Sequence, residues 1–233
     1  MNLSLRWPAV LLGLALLIVF VVGLVAILVG LGRDNPDKSE MSGARDGVRN
    51  ATFEVVGGAT SVHVRAGSLG DNLYRVTTSG GLIGRIDRDN SDVRLGLSGN
   101  SGVVDVVLNA DVGWTLRMTG GAQDMRIDMA GGTTDAIQLA GGASRIDLVL
   151  ARPARPTAVT MTGGVDQFGV RLAAGTPVRV AAASGAGQVT IDGRTHQGVG
   201  GGQVFTAGGW RDGVAGVDVQ ASAGAGGITI TEG

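Results

Sequence analysis

A glycine doublet returns along the chain at near-constant spacing, and this periodicity limits the architecture more than any other feature. Gly57-Gly58, Gly80-Gly81, Gly120-Gly121, Gly141-Gly142 and Gly163-Gly164 each adjoin a short run of alternating apolar and polar residues. Ser98-Gly99 and Ser184-Gly185 take the same place twice more. From Gly99 through Gly121, Gly142 and Gly164 to Gly185 the steps are 22, 21, 22 and 21 residues. Self-similarity at such a period is the mark of stacked repeat architectures.

Between the doublets the apolar residues alternate with period two, as in Phe53/Val55, Val62/Val64, Met125/Ile127/Met129 and Ile146/Leu148/Leu150. Period two means strands with one buried and one solvated face. A new strand begins about every ten or eleven residues, so two strands make one repeat. A sandwich of hairpins gives each strand its own environment and no reason for a shared period. In a solenoid each coil meets nearly the same neighbours, so the same residue types recur at the same phase. The expected fold is therefore all-β: a single-chain parallel β-solenoid of roughly eight to nine ~21-residue coils, preceded by one transmembrane α-helix. The doublets become corners, supplying backbone freedom where the chain reverses and letting successive corners stack. With aromatics at only 3% of the residues, the core between the sheets must be aliphatic.

The expected organisation has four parts: a tail over 1–7, a membrane anchor over 8–31, a flexible polar linker over 32–49 and the solenoid over 50–233. Pro8 to Leu31 is 24 residues without a charge, enough to cross a bilayer with some tilt. Arg6 and Trp7 stand at the membrane interface as a snorkelling cation and an aromatic anchor. A cleaved signal peptide is the competing reading, but its apolar region would be about 7–15 residues before an A-x-A-like site; this stretch is longer and ends in Val29-Gly30-Leu31-Gly32, which favours an uncleaved anchor. Arg33, Lys38 and Arg45 follow the span, and the positive-inside rule leans toward a cytoplasmic C-terminal domain.

The rhythm fails once, from Gly193 to Gly216. This stretch holds nine glycines, a weak strand signal at Val204-Phe205, and Trp210. It reads as one degenerate coil with long loops, either a floppy corner or a loop that protrudes toward a partner. Phe205, Trp210 and Arg211 are the candidate contacts with a partner.

The glycine-rich strands, beginning at Thr52–Gly67 (TFEVVGGATSVHVRAG) after one membrane segment, resemble the bacterial putative-adhesin, or "toastrack", β-solenoid group. Related domains follow transmembrane segments in proteins of the cell-wall-active-antibiotic and phage-shock envelope responses. The resemblance covers about residues 50–232 and rests on texture, since the group has no catalytic motif. It implies a single-stranded solenoid on the extracytoplasmic side, used for sensing or protein contact. This chain departs from multi-span members in having one membrane segment.

Catalytic and ligand signatures fail on inspection. Gly198-Val199-Gly200-Gly201-Gly202-Gln203 lacks the third glycine of a dinucleotide fingerprint, and no helix follows to receive a pyrophosphate. The corners at 120–124 and 163–167 misplace the glycine and aspartate of a calcium-binding repeat. Asp105, Asp128, Asp147 and Asp192 drift in phase and do not make a carboxylate stripe. His63 falls on an outward strand face and His196 in the glycine-rich stretch, neither with a partner at ligand or triad spacing. Cysteine is absent and the net charge is -1, which excludes disulfides and gives no field for nucleic acid.

The expectation is a non-enzymatic, cofactor-free, single-pass membrane protein of the bacterial cell envelope. Its extracytoplasmic domain binds another envelope protein or a cell-wall polysaccharide. Two alternatives stand beside it. An open solenoid ends in a bare strand, Ile228–Ile230, which can pair with another chain into a homo-oligomer or scaffold. A glycan-active enzyme would need two carboxylates at a fixed separation, of which the sequence gives no sign.

Overall fold

The structure is a computed structural model and describes residues 38–99 and 101–233. The tail, the anchor, Arg6, Trp7 and the first linker residues lie outside the described residues. The described residues belong to one compact unit with its own core.

Nineteen strands follow one another without a helix among the described residues. They are β1 (Lys38–Ala44), β2 (Asn50–Val56), β3 (Ala59–Gly67), β4 (Asn72–Ser79), β5 (Ile83–Asp89), β6 (Asp92–Ser98), β7 (Val103–Asn109), β8 (Gly113–Met118), β9 (Ala122–Met129) and β10 (Thr133–Leu139). There follow β11 (Ala143–Leu150), β12 (Thr157–Met161), β13 (Val165–Leu172), β14 (Val178–Ala182), β15 (Ala186–Ile191), β16 (Arg194–Val199), β17 (Gln203–Ala207), β18 (Val217–Ala221) and β19 (Ala225–Glu232). They form two sheets. Sheet A runs β1-β4-β7-β3-β9-β11-β13-β19-β15-β16, and sheet B runs β17-β14-β18-β12-β10-β8-β2-β6-β5.

Each repeat places one strand in sheet B, turns at a glycine corner and places the next in sheet A. Strands of successive coils pair in parallel and in register: Ile127 lies beside Leu148, and Leu148 beside Val170. In-register parallel stacking puts like residues in line, so the inward rows of Val, Ile, Leu and Met are buried from one end to the other. The solenoid-like, all-β architecture stands. Seven coils stack this way, fewer than eight to nine; the remaining chain makes antiparallel strands at the two ends.

The corner glycines are needed mainly for closeness. Gly57, Gly99 and Gly185 do adopt positive φ. Gly120, Gly141 and Gly163 do not; a Cβ there would stand 1.7, 2.1 and 2.4 Å from the carbonyl oxygens of Gly57, Gly120 and Gly141. Backbone rests directly on backbone along this edge.

Four expectations are corrected. Lys38–Ala44, assigned to the flexible linker, is a strand, pairing antiparallel with β4. Its Met41 packs against the core end, and Arg88 of β5 donates to the Ala44 carbonyl (2.7 Å) and pairs with Asp46 (3.3 Å). The Gly193–Gly216 stretch is no degenerate coil. Asp192-Gly193, both at positive φ, make the tight turn of a β15–β16 hairpin, and β17 then adds antiparallel to β14. The two added strands cap one end of both sheets.

Third, the last strand is not bare. Ile228–Ile230 lies in β19, hydrogen-bonded on one side to β13 and on the other to β15. The scaffold reading loses its pairing edge, since the true edges of sheet A are β1 and β16 and those of sheet B are β5 and β17. Fourth, coil order departs from chain order at both ends. The first coil (β2–β3) sits between β6–β7 and β8–β9, and the last (β18–β19) sits between β12–β13 and β14–β15.

Three aromatics, Phe53, Tyr74 and Trp114, gather near the end that β1 and β5 close. Phe53 meets Trp114 edge-on at 6.4 Å and Tyr74 at 6.2 Å between ring centres. Trp114 Nε1 donates to the Asn109 carbonyl (2.9 Å). The buried Asn109 amide donates to the carbonyls of Gly70 and Asn72, and its Oδ1 accepts from Asp111 N, so its polar atoms are paired.

Candidate functional site

Parallel register turns the outward residues of sheet A into rows that cross the strands. One row reads Asp105, His63, Arg126, Asp147, Gly169, Thr229, Thr190; the next toward the strand ends reads Val107, Arg65, Asp128, Val149, Arg171, Thr231. Carboxylates are thus interspersed with basic side chains. Asp105 is separated from Asp147 by His63 and Arg126, and Asp128 stands in another row. His63 faces outward as expected, with its Nδ1 3.1 Å from Asp105 Oδ1, both groups half exposed. An exposed pair of this kind adds little to stability.

The first row meets Gly169 on β13, and the row on its other side, Asp124, Arg145, Gln167, Gly227 and Gln188, meets Gly227 on β19. Gly169 and Gly227 leave a shallow groove in an otherwise covered face, bordered by Arg126, Asp147, Gln167, Arg171, Gln188 and Thr229. Gln167 is held by Arg145 (3.2 Å). Among the described residues Arg126, Asp147 and Arg171 have no ion-pair partner within 4 Å. Sheet B presents the contrary case. Arg179 binds Asp218 at 2.8 Å, Asp218 also accepts from Gln220, and Arg94 lies 3.7 Å from Glu54. The charges bordering the sheet A groove have no such partners, whereas Arg179, Asp218, Arg94 and Glu54 on sheet B do. No cluster of three His, Asp or Glu placed to hold a metal occurs among the described residues.

The contacts expected from sequence do not join this groove. Phe205 is in β17, half-buried against the core, its ring 4.8 Å from that of His196. The two rings meet where the sheets end, so Phe205 closes the core. Trp210 and Arg211 lie in the 208–216 connection, Trp210 half-buried and Arg211 exposed. The groove itself was missed, because its two glycines are strand residues and look in sequence like any others. Outward Gly169 and Gly227, at the phase where other strands carry Arg, Asp or Thr, were the available signal.

No family model matches the chain, and no curated protein sequence matches it. A solved structure does. The crystal structure of a putative cell adhesion protein from Clostridium sporogenes superposes with a TM-score of 0.63, covering 84% of this chain and 99% of that one. The chain shares that protein's fold. Sequence identity is 15%, so the likeness is one of fold alone.

Proposed function

We propose that the protein is a non-enzymatic binding module of the bacterial cell envelope, carried on a single membrane span with its β-domain outside the cytoplasm. In this reading the outer face of sheet A recognises another envelope component, a protein or a cell-wall polysaccharide. The observation that carries it is the groove over Gly169 and Gly227, with uncommitted Arg126, Asp147 and Arg171 at its border. Donors and acceptors side by side on a rigid sheet suit a hydroxyl-rich or peptide ligand, since neither sheet strands nor packed rows reorganise on binding. Two further supports are the fold shared with a protein described as a putative cell adhesion protein and the uncharged 24-residue stretch from Pro8 to Leu31.

Gly227→Tyr tests the groove. A Cβ at Gly227 meets only Gln188, at an ordinary 3.4 Å, so the ring fills the groove without backbone strain. Retention of the protein on purified envelope fragments is expected to fall at least about tenfold with the melting temperature unchanged. Undiminished retention would move binding to another face. Ser222→Cys, at an exposed corner, tests the side of the membrane. Labelling of intact cells by an impermeant thiol reagent is expected; labelling only after lysis would contradict the extracytoplasmic placement.

A further inference from the structure

The corner between β11 and β12 is twice as long as the two before it. Residues 110–112 and 130–132 turn in three residues each; Ala151-Arg152-Pro153-Ala154-Arg155-Pro156 takes six, as a tandem Ala-Arg-Pro. The extra length arches over a recess of about 260 Å³ at the side of the stack. Its lining includes Arg152 and Arg155, Thr133, Thr134 and Thr157, and contains no Asp or Glu.

Three details distinguish this recess from an idle gap. The Thr134 hydroxyl oxygen is shielded from solvent and has no hydrogen-bond partner. Burying a polar group unpaired is unfavourable, and such groups in a folded chain call for an explanation. Next to it β10 carries a bulge, its register slipping at Asp135 between Thr134 and Ala136. Bulges re-aim side chains and concentrate beside functional sites. The freed Asp135 pairs with Arg155 from below, while Arg152 donates to the Ala174 carbonyl of the next corner. Each arginine is thereby fixed through a single nitrogen, leaving most of its five N–H donors uncommitted. Two prolines stiffen the arch further.

We propose that this recess is an oxyanion site, taking a phosphate or carboxylate group through Arg152, Arg155 and the Thr134 hydroxyl. Planar guanidinium groups bind such oxyanions through paired, charge-assisted hydrogen bonds. The partly apolar walls, Leu150 and Val217, lower the local dielectric and strengthen them. The volume admits the anionic group and its nearest atoms, not a chain of sugars. The site lies on the side of the stack and does not depend on the groove of sheet A, although both could serve one anionic envelope polymer.

The test uses the full chain in detergent micelles, titrated with inorganic phosphate, glycerol 3-phosphate, acetate and neutral glycerol while amide-resolved NMR is recorded. Shifts confined to residues 131–135 and 151–157 are expected with the anions and not with glycerol. The stronger of the phosphate and acetate responses identifies which group the site prefers. Arg152→Gln is expected to weaken binding about tenfold or more, the scale of one lost charge-assisted bond. Thr134→Val replaces an unpaired hydroxyl by a methyl of the same shape, so it should weaken binding while leaving the melting temperature equal or higher. No localised shifts at millimolar anion, or an equal response in Thr134→Val and the parent, would overturn the proposal. Gly227→Tyr should leave this titration unchanged, so failure here and failure of the sheet A reading can be told apart.

Discussion

The carbonyl oxygen of Gly57 occupies the place where a side chain on Gly120 would begin, 1.7 Å from an ideal Cβ. Two corners that are 63 residues apart in sequence therefore touch through backbone alone. Gly120→Ala must push coils apart that are held together by hydrogen bonds from Thr119 N and Gly120 N to the Val55 carbonyl. A cost of about 3 kcal/mol or more is expected, lowering the melting temperature by roughly 6–12 °C. Gly131, with nothing within 4 Å of its would-be Cβ, is the control. Gly131→Ala should stay within about 0.5 kcal/mol of the parent. Equal melting of the two variants would refute the backbone-on-backbone corner.

The inward and outward rows of sheet A differ sharply in what they tolerate. Ile127 and Leu148 are fully buried neighbours, at 0% and 1% exposure. Either residue changed to Asp strands a carboxylate in an aliphatic layer and should cost more than about 4 kcal/mol. Arg126→Ala and Asp147→Ala alter a solvated face and should change stability by less than about 0.5 kcal/mol. Circular dichroism during heating distinguishes these outcomes.

Asn109 is a buried amide that ties the β3–β4 connection to a coil. Asn109→Ala leaves the carbonyls of Gly70 and Asn72 and the Asp111 amide without their partner. A loss of roughly 2–4 kcal/mol is expected from urea denaturation. Asn109→Asp should be worse, because it points an anion at two carbonyl oxygens. Hydrogen exchange should show the loss first at Asn72–Ser79.

Tyr74 sets an alkaline limit. Burial raises its phenol above the ordinary value of 10.0, the larger effect, with the Arg88 charge acting in the other direction. A group whose pKa is higher folded than unfolded contributes stability that is complete below the unfolded pKa. It is lost as pH rises through the folded value. Urea midpoints should therefore fall above about pH 10. In Tyr74→Phe that part of the fall should vanish. A Phe variant with the same alkaline decline would assign it to other groups.

How much of this was legible follows from what each residue has to meet. The strands, the inward rows and the corner stacking were readable, since each repeats the same local environment and so repeats its residue types. Lys38–Ala44 was not. Its Lys, Ser, Glu and Gly make a poor strand alone, and only the waiting edge of β4 and the Met41 contact define it. The β16–β17 cap was hidden because an end strand faces solvent on more sides, and the buried alternation disappears: all but Val199 of β16 is exposed. Register across a parallel sheet is set by contacts far apart in sequence. For that reason the juxtaposition of Arg126, Asp147 and Arg171 around Gly169 could not be inferred, although the period-two alternation puts each of them out of phase with the buried row. The tandem Ala-Arg-Pro was visible throughout but acquired meaning only once Thr134 and Asp135 were found beneath it.

The displaced coils at the two ends change how the molecule can be assembled. An ordinary repeat array gains stability unit by unit as it is synthesised, and tolerates losing one from its end. Here β18–β19 is made after both β12–β13 and β14–β15 and must enter between them. Should β14–β15 dock early on β12–β13, the two would have to part again to admit the final coil. A ribosome-bound chain ending near residue 216 has every earlier coil available and no means to complete the stack. Maturation therefore waits for residues 217–232, and deleting them removes a wedge from the interior of the stack.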